Sequence, residues 1–477
     1  MPLFNFIYQL PYFIASLFIF IGAGLTTAFK LTLALSYLLS AIFMLAFTRQ
    51  FFKDDQKALL VTIFYQFAPF RLVELLIRGS FGEVYTYAFL PLALWGMILF
   101  LQKKTYRNFL LTGFGVALLV LSHNSVSLLF FAIILLFLIF FAKTKKNFTV
   151  GSLALLLGLL LSSFYWLPAI MEHKYTHGNL YMRNVYLDYF VPLWQFFVPN
   201  FLNSKIFQTE GISVQFGLFH EIALVASIWF LLKKKLDEKS KKIIYFCLVL
   251  IVGSLLFTQS ISKIIWANIS LIRQFQFPWR FLSVAVLGSA LLSVNYLSLA
   301  IFKKKAAYII LLVMVIFSTA YYWKPQLGVD KIDEAYYWNF PLNTTYYGET
   351  DVVWSAGPAK EYPKERVEII GGEGGIKNFY KKSNLHTFAV NAKTDIVIVD
   401  HTQYFPGWRV FIDNLPVPIQ FQDANWRGEI TFSVPKGEHI VKVVFGESKL
   451  RLVADIISMA SLAGVLLLGI FKARVKI

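Results

Sequence analysis

Residues 65–91, YQFAPFRLVELLIRGSFGEVYTYAFLP, are apolar enough to enter a membrane, yet they carry Arg71, Glu74, Arg78 and Glu83. Ionisable groups at membrane depth are costly, so they mark either a functional site or a membrane boundary. The stretch reads as a hairpin. One span ends near Ile77, RGSFGE (78–83) turns outside, and a second span starts near Tyr85.

The whole chain carries the same signature. Of its 477 residues 57% are hydrophobic and 15% charged, where a soluble domain would hold about 25% charge. A multi-pass membrane protein with one polar insert follows. The net charge of +18 does not indicate nucleic acid, because the basic residues sit in short loops between apolar runs. The single cysteine, Cys247, lies in an apolar run, which excludes disulfides and cysteine metal sites. No signal peptide is read ahead of the first apolar stretch.

Loop charge then sets direction. RQFFKDDQK (49–57), QKKTYR (102–107), KTKKN (143–147), KKKLDEKSKK (233–242), KKK (303–305) and the tail KARVKI (472–477) all fall on one side, the cytoplasmic one. Residues 1–27 form an interfacial helix or a first span, because Pro11 interrupts them and Asn5 and Gln9 are polar. Residues 28–323 form a multi-span domain with an outside loop at 171–212, and residues 451–477 form the last span and basic tail. The total is about 11–12 spans.

Residues 324–450 change period. RVEII (366–370), HTFAV (386–390), DIVIV (395–399), WRVFI (408–412), EITFSV (429–434) and HIVKVVF (439–445) alternate as strands. GGEGG (371–375), FPGW (405–408), Asp413-Asn414 and PKGEH (435–439) separate them as turns. An extracytoplasmic antiparallel β-sandwich is expected.

Few ionisable groups reach the outer membrane boundary. They are Arg78, Glu83, His123, Glu172, His173, His220, Glu221, Arg273 and Arg280, with Arg71 and Glu74 a turn or two deeper. Arg71 lies three residues from Glu74 and seven from Arg78, so a regular helix places them on one face. Arginines beside a carboxylate and histidines suit a phosphate headgroup, because guanidinium forks match phosphate oxygens. Each group also has a plainer reading: an Arg78–Glu83 pair capping a hairpin, His123 as a polar span end, Arg280 snorkelling. Tyr404, Trp408 and Trp426 could stack on sugar faces or fill the sandwich core. Asp54 and Asp55 belong to a solvated loop, and neither a metal cluster nor a phosphate-cradling glycine loop is evident.

The stretch FAPFRLVELLIRGSFGEVYTYAFLPLAL (67–94) resembles the core segment of bacterial membrane proteins labelled 6-pyruvoyl-tetrahydropterin synthase-related, with Pro69, Phe70, Arg78, Glu83, Pro91 and Leu92 matching. LSHN (121–124), SSFYWLPAIMEH (162–173), QFGLFH (215–220) and QFPWRFL (276–282) also resemble that family. YFPGWRVFIDN (404–414) and PKGEHIVKVVF (435–445) resemble the outer β-domain of related large membrane glycosyltransferases. No pterin chemistry follows from the label.

The resemblance implies a GT-C-like glycosyltransferase fold, a polyprenyl-phosphate-linked sugar as donor and a cell-surface glycan acceptor, with membrane lipids around it. No cofactor is implied with certainty, and a divalent metal is left open. In that fold the outside loop after the first span carries an aspartate base. Residues 1–24 look like the tail of that loop, so the base is expected upstream of Met1. Within this chain Glu83 is the best catalytic carboxylate, either as base or as partner to Arg78. Arg78, His123, Arg280 and Arg71 are the expected holders of the lipid phosphate. Two other classes compete: a non-catalytic or truncated membrane scaffold or binding protein of the same fold, and a transporter of lipid-linked intermediates. A transporter would show internal repeats with broken helices, and no convincing repeat is read.

Overall fold

The computed structural model describes residues 3–178, 183–198, 213–233, 236–324, 334–338, 342, 351–357 and 361–474. Parts of the expected loop 171–212 and of the polar segment 324–450 lie outside the described residues. Two compact units emerge. One comprises Met1–Phe6, Ser163–Tyr181 and Ala335–Ile457, and the other Ile7–Ser162, Met182–Glu334 and Ser458–Ile477.

The first unit is built on two antiparallel sheets. The strands are β1 (Val367–Gly371), β2 (Gly374–Lys382), β3 (Leu385–Ala392), β4 (Ile396–Gln403), β5 (Trp408–Ile412), β6 (Leu415–Val417), β7 (Glu429–Val434) and β8 (Gly437–Phe445). One sheet runs β1-β4-β7 and the other β2-β3-β8-β5-β6. Alternation buries Ile396, Ile398, Ile430 and Phe432 of the first against Phe388, Val390, Val410 and Val441 of the second, so the pair is a sandwich. Asp413 and Asn414 adopt φ of 50° and 68°, the left-handed pair that a two-residue hairpin turn requires. All six expected strands are present. β2 and β6 were not expected, because GGIKNFYKK is exposed along most of its length and shows no apolar alternation. GGEGG is therefore a turn that already begins β2.

The same unit holds a buried ion pair that joins residues far apart in the chain. Arg451 Nε donates to Glu172 Oε1 and Oε2 at 3.1 and 3.0 Å, and Nη2 donates to the Pro406 carbonyl at 2.7 Å. Asn5 donates to the same carboxylate at 2.8 Å.

The second unit is helical. Its elements are α1 (Leu10–Phe20), α2 (Leu25–Phe52), α3 (Asp55–Gln66), α4 (Pro69–Leu72), a π-helix at Val73–Ile77, α5 (Glu83–Gln102), α6 (Tyr106–Ser122), α7 (Asn124–Phe141) and α8 (Lys145–Leu161). The helix α9 (Ser163–Glu172) belongs to the first unit. Later come α10 (Leu218–Lys233), α11 (Glu238–Thr258), α12 (Leu282–Leu292) and α13 (Lys305–Phe317), and α14 (Lys449–Arg474) closes the chain. Among the described residues, six helical segments are long and apolar enough to cross a membrane, or up to eight if the bent pairs α3/α4–π and α8/α9 each count as one span. The chain is a polytopic membrane protein. The 11–12 spans expected from loop charge exceed this count because α6, α10 and α13 have only 17, 16 and 13 residues. With 11 residues, α1 rises only about 16 Å, short of a hydrocarbon core about 30 Å thick, which favours the interfacial reading.

Proline explains two local features. Ala68 precedes Pro69 and is extended at ψ 129°, which breaks α3 from α4 with a 53° bend. Pro91 inside α5 has no N–H for the Tyr87 carbonyl, and the Ser40 and Tyr65 hydroxyls donate to that carbonyl at 2.9 and 3.0 Å instead.

Small residues bring α5 and α6 together. A Cβ on Gly96 would lie 2.6 Å from Thr112 N, and one on Gly115 would lie 2.8 Å from Ala93 Cα. Backbone atoms block both, so Gly96→Leu or Gly115→Leu should cost about 1–3 kcal/mol or more by overpacking. Gly253 and Gly464 face open space, and their leucine variants should keep the wild-type thermal midpoint in detergent. Equal midpoints for all four variants would refute this packing.

Candidate functional site

The charged hairpin forms as the sequence predicts: the π-helix ends at Ile77, Arg78–Gly82 turn, and α5 starts at Glu83. Gly79 takes φ +55°, and Gly82 is pinched between the Tyr8 ring and the Ser122 carbonyl, at 2.5 and 2.6 Å from where a Cβ would sit. No larger residue fits there without displacing its neighbours.

Glu83 is the centre of the cluster. It is fully buried, and its Oε1 receives Arg280 Nε at 3.1 Å, Arg280 Nη2 at 3.0 Å and Arg78 Nη1 at 3.2 Å. His123 Nε2 stands 3.8 Å from the same oxygen. Arg78 also pairs with Glu74, four residues earlier and equally buried. Two guanidinium groups thus face two carboxylates, a balance that enclosed charges require.

Each cation is oriented by further contacts. Arg280 Nη1 donates to the Phe275 carbonyl at 2.9 Å and to Gln276 Oε1 at 2.8 Å. Gln276 sits at φ 61°, an uncommon left-handed conformation for a residue other than glycine. The FPWR segment stacks Phe277 on Trp279, with centroids 4.9 Å apart, and the rings carry the guanidinium groups. Arg280 lies 4.9 Å from the Phe277 centroid and Arg78 4.5 Å from that of Trp279. His123 caps α7: its Nδ1 accepts from Val126 N at 3.2 Å, which leaves the hydrogen of the neutral ring on Nε2, facing Glu83. Tyr8, just before α1, stacks on the His123 ring at 5.0 Å.

Three of the four expected phosphate contacts therefore meet at Glu83: Arg78, His123 and Arg280. Arg71 does not. It is buried among Tyr37, Tyr65 and Tyr87, with ring centroids 5.1, 4.7 and 5.2 Å away, and donates only a long bond of 3.4 Å to the Tyr65 carbonyl. Arg71 and Glu74 form no ion pair, and the chain passes from α-helix to π-helix between them. Arg280 does not snorkel, being only 7% exposed.

The other boundary residues scatter. Glu172 pairs with Arg451, which sequence reasoning did not single out. His220 is buried with Nδ1 2.8 Å from Ser289 Oγ. Arg273 ends a short helix, Ser270–Arg273. Among the aromatic candidates, Trp408 fills the sandwich core and offers no sugar a face. Tyr404 stacks on Phe421 at 4.2 Å, and Trp426 packs against His401. Glu74, Gln276, Trp279 and Tyr8 complete the cluster. The sequence signals for them were the charge at 74 and the aromatic run around 277–280.

Of the two guanidinium groups in the cluster, that of Arg78 belongs to the more exposed side chain. Arg280 spends its donors on Glu83, Phe275 and Gln276. Arg78 pairs with both carboxylates, and its side chain remains 17% exposed against 8% for Arg280. Glu83 Oε2 and Glu74 Oε1 are enclosed, without hydrogen-bond partners among the described residues.

Removing one partner of such a buried pair leaves an uncompensated charge, at a cost of about 3–5 kcal/mol. Glu83→Ala and Arg280→Ala should each lower stability by that order, with the double variant well below the sum of the two. Thermal unfolding in detergent as a double-mutant cycle measures it. Additive losses would show that the pair is not coupled.

The profile of a family described as 6-pyruvoyl-tetrahydropterin synthase related domain, membrane protein, matches residues 4–326, which include every residue of the cluster. An uncharacterized protein of Lactococcus lactis subsp. cremoris (strain MG1363) is 26% identical over 176 residues, 35% of this chain and 29% of that protein. The match thus spans less than a third of that relative's length. No solved structure matches.

Proposed function

We propose, for a chain that belongs to the 6-pyruvoyl-tetrahydropterin synthase related family of membrane proteins, transfer of a sugar from a polyprenyl-phosphate donor to a cell-surface acceptor on the outer face of the membrane. The fold is then GT-C-like, with the sandwich domain outside the cytoplasm. One observation supports the reading: Arg78, at the end of the hairpin, keeps a partly exposed side chain while two buried carboxylates and Trp279 fix its position.

In the reaction the acceptor hydroxyl loses its proton to a base and attacks the anomeric carbon. The bond from that carbon to the phosphate oxygen breaks, and the polyprenyl phosphate departs with the electron pair. Arg78 contacts the departing phosphate, where developing charge is best stabilised by a preorganised donor. Glu83 acts through Arg78 and Arg280 as a positioning residue, because its occupied oxygen already holds both. This narrows its expected role as base. His123 supports the same carboxylate. Arg71, held in its tyrosine cage, leaves the phosphate-binding set.

A second reading has its own support. The four charges of the cluster pair with one another, leaving only Glu83 Oε2 and Glu74 Oε1 without donors among the described residues, as they would in a binding protein or scaffold of this fold that performs no transfer.

Incorporation of label from a polyprenyl-phosphate sugar into surface glycan separates the two. Arg78→Ala should reduce transfer by about 10²–10³-fold, and Arg78→Lys, a point charge without the fork, should restore only part. Glu83→Gln should lower kcat more than it raises KM. Undiminished transfer by a folded Arg78→Ala protein would exclude Arg78 from the reaction, and no transfer by wild type with any donor would favour the scaffold.

A further inference from the structure

At the lysine-bearing end of the helical unit, the turn between α7 and α8 borders a groove of about 500 Å³. Ile139 and Phe148 form its apolar walls, and Lys143, Thr144, Lys145 and Thr149 form its rim. Ile139 and Phe148 are 55% and 39% exposed, on two helices that run into the membrane from this turn. An exposed apolar wall on such a helix faces acyl chains rather than water.

The rim is cationic and short of counter-charge. Among the described residues, no carboxylate forms an ion pair with Lys143 or Lys145. Thr144 caps α8 by accepting from Asn147 N at 3.1 Å, so the first N–H groups of a 17-residue helix also point to this end. A second observation is tertiary. Lys53, in the turn between α2 and α3, and Lys57, in the first turn of α3, come with Lys143 within electrostatic reach of Lys239 at the start of α11. Lys239 is fixed there by donating to the Phe51 carbonyl at 3.2 Å. Asp54, 3.8 Å from Lys57, and Asp237, which caps α11, offset only part of this charge.

We propose that this groove binds an anionic glycerophospholipid, with the phosphodiester on Lys143 and Lys145 and an acyl chain along Ile139 and Phe148. A free phosphate would find the two lysines but no use for the apolar walls. The site stands apart from the Glu83 cluster and does not depend on glycosyl transfer. It differs from the general excess of lysine in loops on one side of a membrane, because it needs these two lysines and these walls.

The test uses the full chain in lipid nanodiscs of phosphatidylcholine with phosphatidylglycerol as the minority lipid. Native mass spectrometry counts each lipid retained on release. Wild type should keep phosphatidylglycerol in preference to phosphatidylcholine. Lys143→Gln/Lys145→Gln should lose roughly fivefold per lysine, hence about 25-fold for the pair. Lys103→Gln/Lys104→Gln, which removes the same charge from the turn between α5 and α6, should leave the preference intact. Ile139→Ser should weaken retention with both lysines present. Equal losses for the two lysine pairs, or none for either, would overturn the site, as would its elimination by millimolar inorganic phosphate. Were Lys143→Gln/Lys145→Gln to unfold, Lys143→Arg/Lys145→Arg and the Ile139→Ser result would decide, loss of preference in the first or retention in the second counting against the site.

Discussion

The helical unit is organised around the cost of burying Glu83. An isolated carboxylate in a low-dielectric interior would be destabilising by several kcal/mol, and only well-placed cations and donors offset that. Arg78 comes from the same hairpin, His123 from the turn between α6 and α7, and Arg280 from the segment before α12. The carboxylate therefore links segments up to 197 residues apart in the chain. Glu74 then compensates Arg78, and the Phe277–Trp279 stack takes the flat faces of both guanidinium groups. Each member restricts the rotamers of the next.

Such a cluster needs close backbone approach, and the surrounding sequence provides it. Gly82 lets Tyr8 lie across the hairpin. Gly96 and Gly115 let α5 approach α6 at backbone distance, which fixes the helix that begins with Glu83. Pro91 opens one carbonyl in that helix, and Ser40 and Tyr65 close it from two other helices. These devices differ from the sandwich, where alternating Ile, Val and Phe residues exclude water between two sheets. Apolar burial stabilises the sandwich, whereas packing and polar satisfaction dominate where lipid removes the hydrophobic advantage.

Much of this is legible in the sequence. Six strands followed from alternation, and the turn at 78–83 followed from charge inside an apolar run. β2 was hidden because a mostly exposed strand has no apolar period to read. The 11–12 spans expected exceed the helices of spanning length among the described residues because an apolar run does not reveal where its helix ends. The placement of Arg71 among Tyr37, Tyr65 and Tyr87 depends on packing that spacing along the chain does not encode.

The sequence by itself determined the class of protein, the hairpin and the presence of costly charges within it. Those properties are local, since hydropathy, turn chemistry and the penalty for a charge in lipid act residue by residue. Tertiary structure decided which charges meet. Arg280 and His123 reach Glu83, while Arg71 turns into a cage of tyrosines and Glu172 is taken by Arg451. Pairing depends on three-dimensional distance and on which donors remain free after packing, and neither quantity is written in the spacing of residues along the chain.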